Sequence, residues 1–131
     1  MNSGKRKYGQ VLVVISLLVM VFHLLILVKV IPYSITWGGK LKNDSEMYVF
    51  ETVSLLINLF FVYLVAQRVG MMPLLLSEKI VTILLWIFFG LFVLNTVGNI
   101  FATTSLERWF TLLTLANAFL IWKINRKSVN R

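Results

Sequence analysis

Glu51, Ser54 and Asn58 fall at i, i+3 and i+7, and Asn95 and Asn99 fall four residues apart, so each set shares one face if its segment is helical. A carboxylate, a hydroxyl and three carboxamides grouped in this way can hydrogen-bond a polar ligand, couple a proton to its movement, or tie helices together. His23 is the single histidine; a hydrogen bond to Glu51 or Asn95 would make it a base with an orienting group. It has no neighbour in sequence to complete a metal site, and the chain has no cysteine. No metal site, cofactor, thiolate chemistry or disulfide is therefore expected.

Each of these residues also has a structural reading. Asn58, Asn95 and Asn99 can act as hydrogen-bond glue between helices, worth about 0.6–2 kcal/mol each. Glu51 resists that reading, because a carboxylate inside an apolar span is costly unless it is paired, protonated or hydrated. As the one acid within a span, it is the residue on which ligand binding or coupling is expected to depend. Lys29 and Glu107 are assigned to snorkelling and to helix capping.

The elements that carry these residues are apolar blocks. Of 131 residues 59% are hydrophobic and 14% charged, with a mean hydropathy of +0.86, whereas a soluble domain averages about 45–50% apolar and about 25% charged. Four blocks approach the roughly 20 residues that a helix needs to cross a bilayer: about 9–31, 47–68, 79–102 and 105–123. The first is longer than a secretory signal core and no small-residue cleavage site follows it, so it is expected to be retained. Asn43 with Glu46 resembles a cap for the second helix. The third block can begin as early as Pro73. Thr104 with Glu107 forms a capping box for the fourth, which Arg108 and Lys123 flank. The expected fold is all-α: a polytopic membrane protein, with residues 1–131 forming one domain of four transmembrane helices in an up-down bundle.

The cations give an orientation. Lys5, Arg6, Lys7, Arg68, Lys79, Lys123, Arg126, Lys127 and Arg131 fall on one side, and Lys29, Lys40, Lys42 and Arg108 on the other. Both termini are therefore expected in the cytoplasm, at the cell membrane. The net charge of +8 flanks spans and forms no aromatic-interleaved patch, so anionic headgroups explain it better than nucleic acid.

Depth then sorts the polar residues. At the rise of an α-helix, Asn99 lies roughly 5 Å and Asn95 roughly 10 Å below the outer end of the third span, Glu51 roughly 6 Å, His23 roughly 12 Å, and Asn58 and Asn117 roughly 17–18 Å. These groups are expected to converge on a polar pocket in the outer half, bordered by the loop "TWGG", in which Trp37 is either an interfacial anchor beside a Gly38-Gly39 turn or part of a lid. Thr111, Thr114 and Ala118 form a small-residue stripe suited to close helix approach. Phe60, Leu91 and Phe92 are assigned to packing or lipid contact.

The strings "IPYSITWGGKL", "FETVSLLIN" and "LNTVGNIFA" together resemble an uncharacterised group of small bacterial four-span membrane proteins with a WGG loop, a Glu in the second span and an NTxGN-like third span. That resemblance implies the four-span fold over most of the chain and carries no activity or site residues. Small multidrug exporters also combine four spans with a membrane Glu, but theirs is in the first helix, which has none here. No hydrolase, metalloprotease or phosphate-loop motif is present. The leading reading is an integral membrane protein whose outer-leaflet pocket binds a lipid or small amphiphile, or whose polar faces dock a partner membrane protein. An oligomeric small-molecule or ion-coupled transporter is the alternative, and a membrane-embedded lipid-modifying enzyme, with His23 and Glu51 as base and orienter, is third. The ligand-binding or coupling candidates are Glu51, His23, Asn95, Asn99, Asn58, Ser54 and Trp37.

Overall fold

A computed structural model describes residues 3–35, 40–101 and 105–126. Helices α1 (Ser3–Leu27), α2 (Asp44–Arg68), α3 (Glu78–Ile100) and α4 (Ser105–Asn125) account for most of them, with one 3₁₀ turn at Tyr33–Ile35. Among the described residues three helices are long and apolar enough to cross a membrane: Gly4–Leu27, Asp44–Arg68 and Glu78–Ile100. Between 17% and 22% of each span's apolar window is buried inside the protein. Many of the other large apolar side chains, Leu17, Val49, Leu56, Leu59, Ile87 and Leu94 among them, are exposed, which suits helices solvated by lipid.

The first helix ends at Leu27, short of the expected boundary near residue 31, for a local reason. Lys29 takes a left-handed conformation, φ 67°, and its N–H donates to the Ile26 carbonyl while that of Val30 donates to Leu25. This Schellman geometry satisfies the last carbonyls of the helix. Lysine at the position that usually belongs to glycine hides the stop in the sequence. Its ammonium pairs with the Asp44 carboxylate at the start of α2, and that hydrogen bond holds Lys29 above its ordinary pKa. The same motif closes α2, where Gly70 (φ 76°) donates to Gln67 and Met71 donates to Ala66.

The helix starts follow side-chain caps. Asn43 accepts from the Glu46 N–H at 2.9 Å, as expected, and places the start of α2 at Asp44 rather than residue 47. Ser77 accepts from Ile80, so α3 begins at Glu78; Pro73 lies in the connection before it. The expected capping box of Thr104 and Glu107 lies outside the described residues.

Neighbouring helices pack in chain order, α1 on α2, α2 on α3 and α3 on α4, and α4 closes on α1. One end of this ring is basic and tightly tied. Lys5 donates to the Arg126 carbonyl and Arg6 to that of Gly70, both at 3.0 Å. Gln67, buried, accepts from the N–H groups of Leu75 and Leu76 and so anchors the α2–α3 connection. Arg68 bonds the Thr82 hydroxyl, and Asn125 donates to the Thr82 carbonyl at 2.9 Å. Above these ties the core is dry: Leu12, Leu64, Val65, Val81, Leu85 and Ile121 are all 0% exposed.

Close approach of α1 to the end of α2 depends on Gly9. A Cβ there would lie 2.5 Å from Val69 Cγ2, and the β-branched valine has few rotamers with which to retreat. Gly9→Leu is expected to lower stability by about 1–3 kcal/mol through overpacking. Unfolding in mixed micelles checks this, and Val69→Ala should restore part of the loss.

Candidate functional site

The opposite half of the bundle is hollow. A half-open cavity of about 600 Å³ lies among all four helices, lined from the C-terminal halves of α1 and α3, the middle of α2 and the N-terminal part of α4 as far as Asn117. Its location follows from the sequence of each helix: the continuous Leu, Val and Ile packing of the basic half gives way to carboxamides and phenylalanines that leave space between the backbones. Phe61 packs against Phe88 (centroids 4.9 Å) and Phe92 (5.4 Å), which closes the cavity toward the dry core. Phe22 of α1 meets Phe110 of α4 edge to face at 5.1 Å. These aromatics supply most of the apolar wall.

His23, Ser54, Asn58, Asn95 and Asn99 all line this space, so five of the seven candidates are brought together. Glu51 sits behind them. It is 0% exposed, and its Oε1 lies 2.8 Å from His23 Nδ1, which places the imidazole between the carboxylate and the cavity. The hydrogen bond joins α1 to α2 and fixes the ring orientation, the arrangement in which a carboxylate positions an imidazole for its other nitrogen to act. Trp37 lies outside the described residues, as does the rest of "TWGG".

Asn58 belongs partly to its own helix, because its Nδ2 donates to the Ser54 carbonyl at 2.8 Å. Asn95 and Asn99 remain available to the cavity, and Leu91 and Phe92, assigned above to packing or lipid, are part of its wall. Phe60 stacks on Tyr63 and stays outside.

Two further polar residues complete the lining. Asn117 is 3% exposed, and its Oδ1 is buried without a hydrogen-bond partner among the described residues. Thr114 donates to or accepts from Thr96 of α3 at 2.8 Å, a bond that ties α3 to α4 at the cavity's edge. Asn117 is among the groups that depth alone sends toward the pocket, whereas the stripe of Thr111, Thr114 and Ala118 invites a packing interpretation of Thr114. Thr96 carries no such signal. Among the described residues no group of three His, Asp or Glu converges as a metal site, and no Lys, Arg, Asp or Glu lines the cavity.

Such a space can hold an elongated molecule with an apolar body and a small polar head. Comparison of the chain with family models, curated proteins and solved structures returns no match. The geometry of the site is thus the basis on which its function is read.

Proposed function

We propose that the protein is a four-span integral membrane protein of the cell membrane, with both termini in the cytoplasm, whose cavity binds a lipid or similar amphiphile in the outer leaflet. The observation that carries the proposal is the half-open cavity itself. Its volume, about 600 Å³, lies inside the roughly 300–1,000 Å³ of sites that hold drug-sized ligands. Its walls are Ile, Leu, Val and Phe, and its polar groups are carboxamides, hydroxyls and one imidazole. This is the chemistry of an amphiphile with an uncharged head. The resemblance to small bacterial four-span proteins agrees with the topology.

A transporter would need a path through the other half, which Leu12, Phe61, Leu64, Leu85 and Ile121 fill. An amphiphile that enters and leaves from one leaflet needs none.

The orientation rests on the cations: Lys5, Arg6, Lys7, Arg68, Lys79, Lys123 and Arg126 cluster at the basic end, while Lys29 and Asp44 pair at the other. Reporter fusions after residue 131 and beside Lys42 are expected to read cytoplasm and exterior respectively. An extracytoplasmic C-terminus would reverse the assignment of the cavity to the outer leaflet.

Ligand binding is tested by filling the cavity. Leu113 lines it, so Leu113→Trp is expected to weaken displacement of an environment-sensitive fatty probe by tenfold or more, on the order expected when a pocket loses space for several methylenes. Asn95→Leu should weaken it less, since it removes one polar partner and leaves the volume. If neither change alters binding of the probe, the cavity is not the site.

A further inference from the structure

Three cations meet where the start of α1 packs on the end of α4. Lys5 Nζ donates to the Arg126 carbonyl at 3.0 Å, and the charges of Arg68 and Arg126 both act on it. Lys123 Nζ lies 5.6 Å from the ring centre of Tyr8 on α1, 5.7 Å from that of Phe119 and 5.8 Å from that of Trp122. Arg126 Cζ stands 4.5 Å over the Trp122 ring. A carbonyl and three aromatic rings hold these groups in place, but such partners carry no net negative charge and leave the positive charge uncancelled. The acidic side chains are elsewhere. Asp44, Glu46, Glu51 and Glu107 belong to the far half by their places in α2 and α4. Glu78, the remaining one, starts α3 and lies 3.6 Å from Arg68 on the α2–α3 side.

We infer that this α1–α4 seam is a binding site for the phosphodiester headgroup of an anionic phospholipid, in the leaflet that borders the basic end. Lys5 spends one of its three donors on the Arg126 carbonyl and keeps two, and the Arg126 guanidinium is exposed. Both can make charge-assisted hydrogen bonds to phosphate oxygens. Lys123 adds to the local field, and the mutual repulsion of the clustered cations is relieved when an anion sits among them. A lipid, and not a soluble phosphate, follows from what continues from the cations along α4. Arg126, Trp122 and Phe119 are spaced by four and three residues and so share one face. The Phe119 and Trp122 rings are 6.1 Å apart and both exposed. Tyr8 and Trp122 have the chemistry of the headgroup level, and the aromatic strip beyond them suits the glycerol and first methylenes of an acyl chain. Basic pockets between spans take anionic headgroups in this way. The site lies in the half of the bundle opposite the cavity, and the inference goes beyond the cavity's ligand; it rests on α4 lying in the bilayer beside α1.

The test uses the full chain in dodecyl maltoside, an uncharged detergent, with dioleoylphosphatidylglycerol and dioleoylphosphatidylcholine as probes and native mass spectrometry to count what stays bound. The parent should hold phosphatidylglycerol more tightly by about tenfold or more, the scale set by two or three cations at an anionic surface. Lys5→Gln with Arg126→Gln should remove most of that preference. Lys7→Gln with Lys79→Gln makes the same change in net charge at exposed positions outside the seam, and should leave the preference within about twofold. Because Lys5 also ties α1 to α4, unfolding midpoints are read with and without lipid. The rise caused by phosphatidylglycerol should be lost in the first pair and kept in the second, whatever the midpoint without lipid. Glycerol 1-phosphate at the concentration of the lipid should not displace it. Displacement would overturn the lipid assignment in favour of a soluble phosphate. Equal losses in the two charge-matched pairs, or no preference in the parent, would overturn the site itself. Displacement of the fatty probe from the cavity is a separate measurement, so either site can fail without the other.

Discussion

A His23→Leu protein is expected to lose about 3 kcal/mol of stability in mixed micelles. Removing one partner of a buried hydrogen bond leaves the other's bond unmade, at a cost of about 1–3 kcal/mol and more for a group that can carry charge. Glu51 is fully buried and 2.8 Å from the imidazole it would lose. The expected value sits at the upper end because the group that loses its partner is a fully buried carboxyl. Glu51→Gln keeps the shape and a hydrogen bond to Nδ1, and should cost about 1 kcal/mol, an ordinary change in one buried hydrogen bond. Replacing both residues by leucine should recover part of what His23→Leu loses, since the buried carboxyl is then removed as well. Unfolding midpoints of the parent, His23→Leu, Glu51→Leu and the double leucine variant form a double-mutant cycle. Strictly additive losses would mean that the two side chains act independently, and Glu51 would then be a residue with no special tie to the cavity.

Phe61→Ala is expected to cost about 2–4 kcal/mol and to enlarge the cavity toward the basic end. Phe61 is 1% exposed and separates the two halves of the bundle, packed on Phe88 and Phe92. In a soluble protein such a truncation costs about 3–5 kcal/mol, transfer and cavity terms together. In a bilayer the unfolded reference is already in apolar solvent, so the transfer part shrinks and lost packing contacts dominate. The functional consequence runs the other way: with the floor removed, longer acyl chains should bind better relative to short ones than they do in the parent. The chain-length dependence of probe affinity, measured beside the unfolding midpoint, checks both parts. An unchanged length preference would place the apolar end of the ligand elsewhere.

These two substitutions act on features of very different visibility in the amino-acid sequence. The apolar blocks and their helical state are legible because lipid leaves a backbone few alternatives to a helix, and because Asn43 with Glu46 announces the start of α2. The shared face of Glu51, Ser54 and Asn58 is legible too, since i, i+3 and i+7 lie together on a helix whatever surrounds it. The end of α1 is not, because Lys29 adopts a conformation that its type does not advertise and that the Asp44 contact supports. Membership of α4 among the spans is likewise not settled by its composition: Glu107, Arg108 and Lys123 interrupt its apolar run, and the three long apolar helices are α1, α2 and α3.

By itself, then, the sequence determines a helical chain with segments long and apolar enough to cross a membrane, and with its polar side chains concentrated in one half of their length, because periodicity and depth along a helix depend only on local geometry. Which of those side chains meet depends on how the helices rotate against one another, and that is decided by contacts between residues far apart in the chain. The 2.8 Å bond from His23 to Glu51 spans 28 positions, and the cavity draws on four separate helices. Its emptiness is a tertiary property as well: Val69 at Gly9 brings α1 and α2 together at the basic end, while Phe22 against Phe110 and Phe61 against Phe88 hold the other half apart. No residue's type specifies a void, because a void is what remains when side chains on different helices are each packed as well as the neighbouring backbones allow.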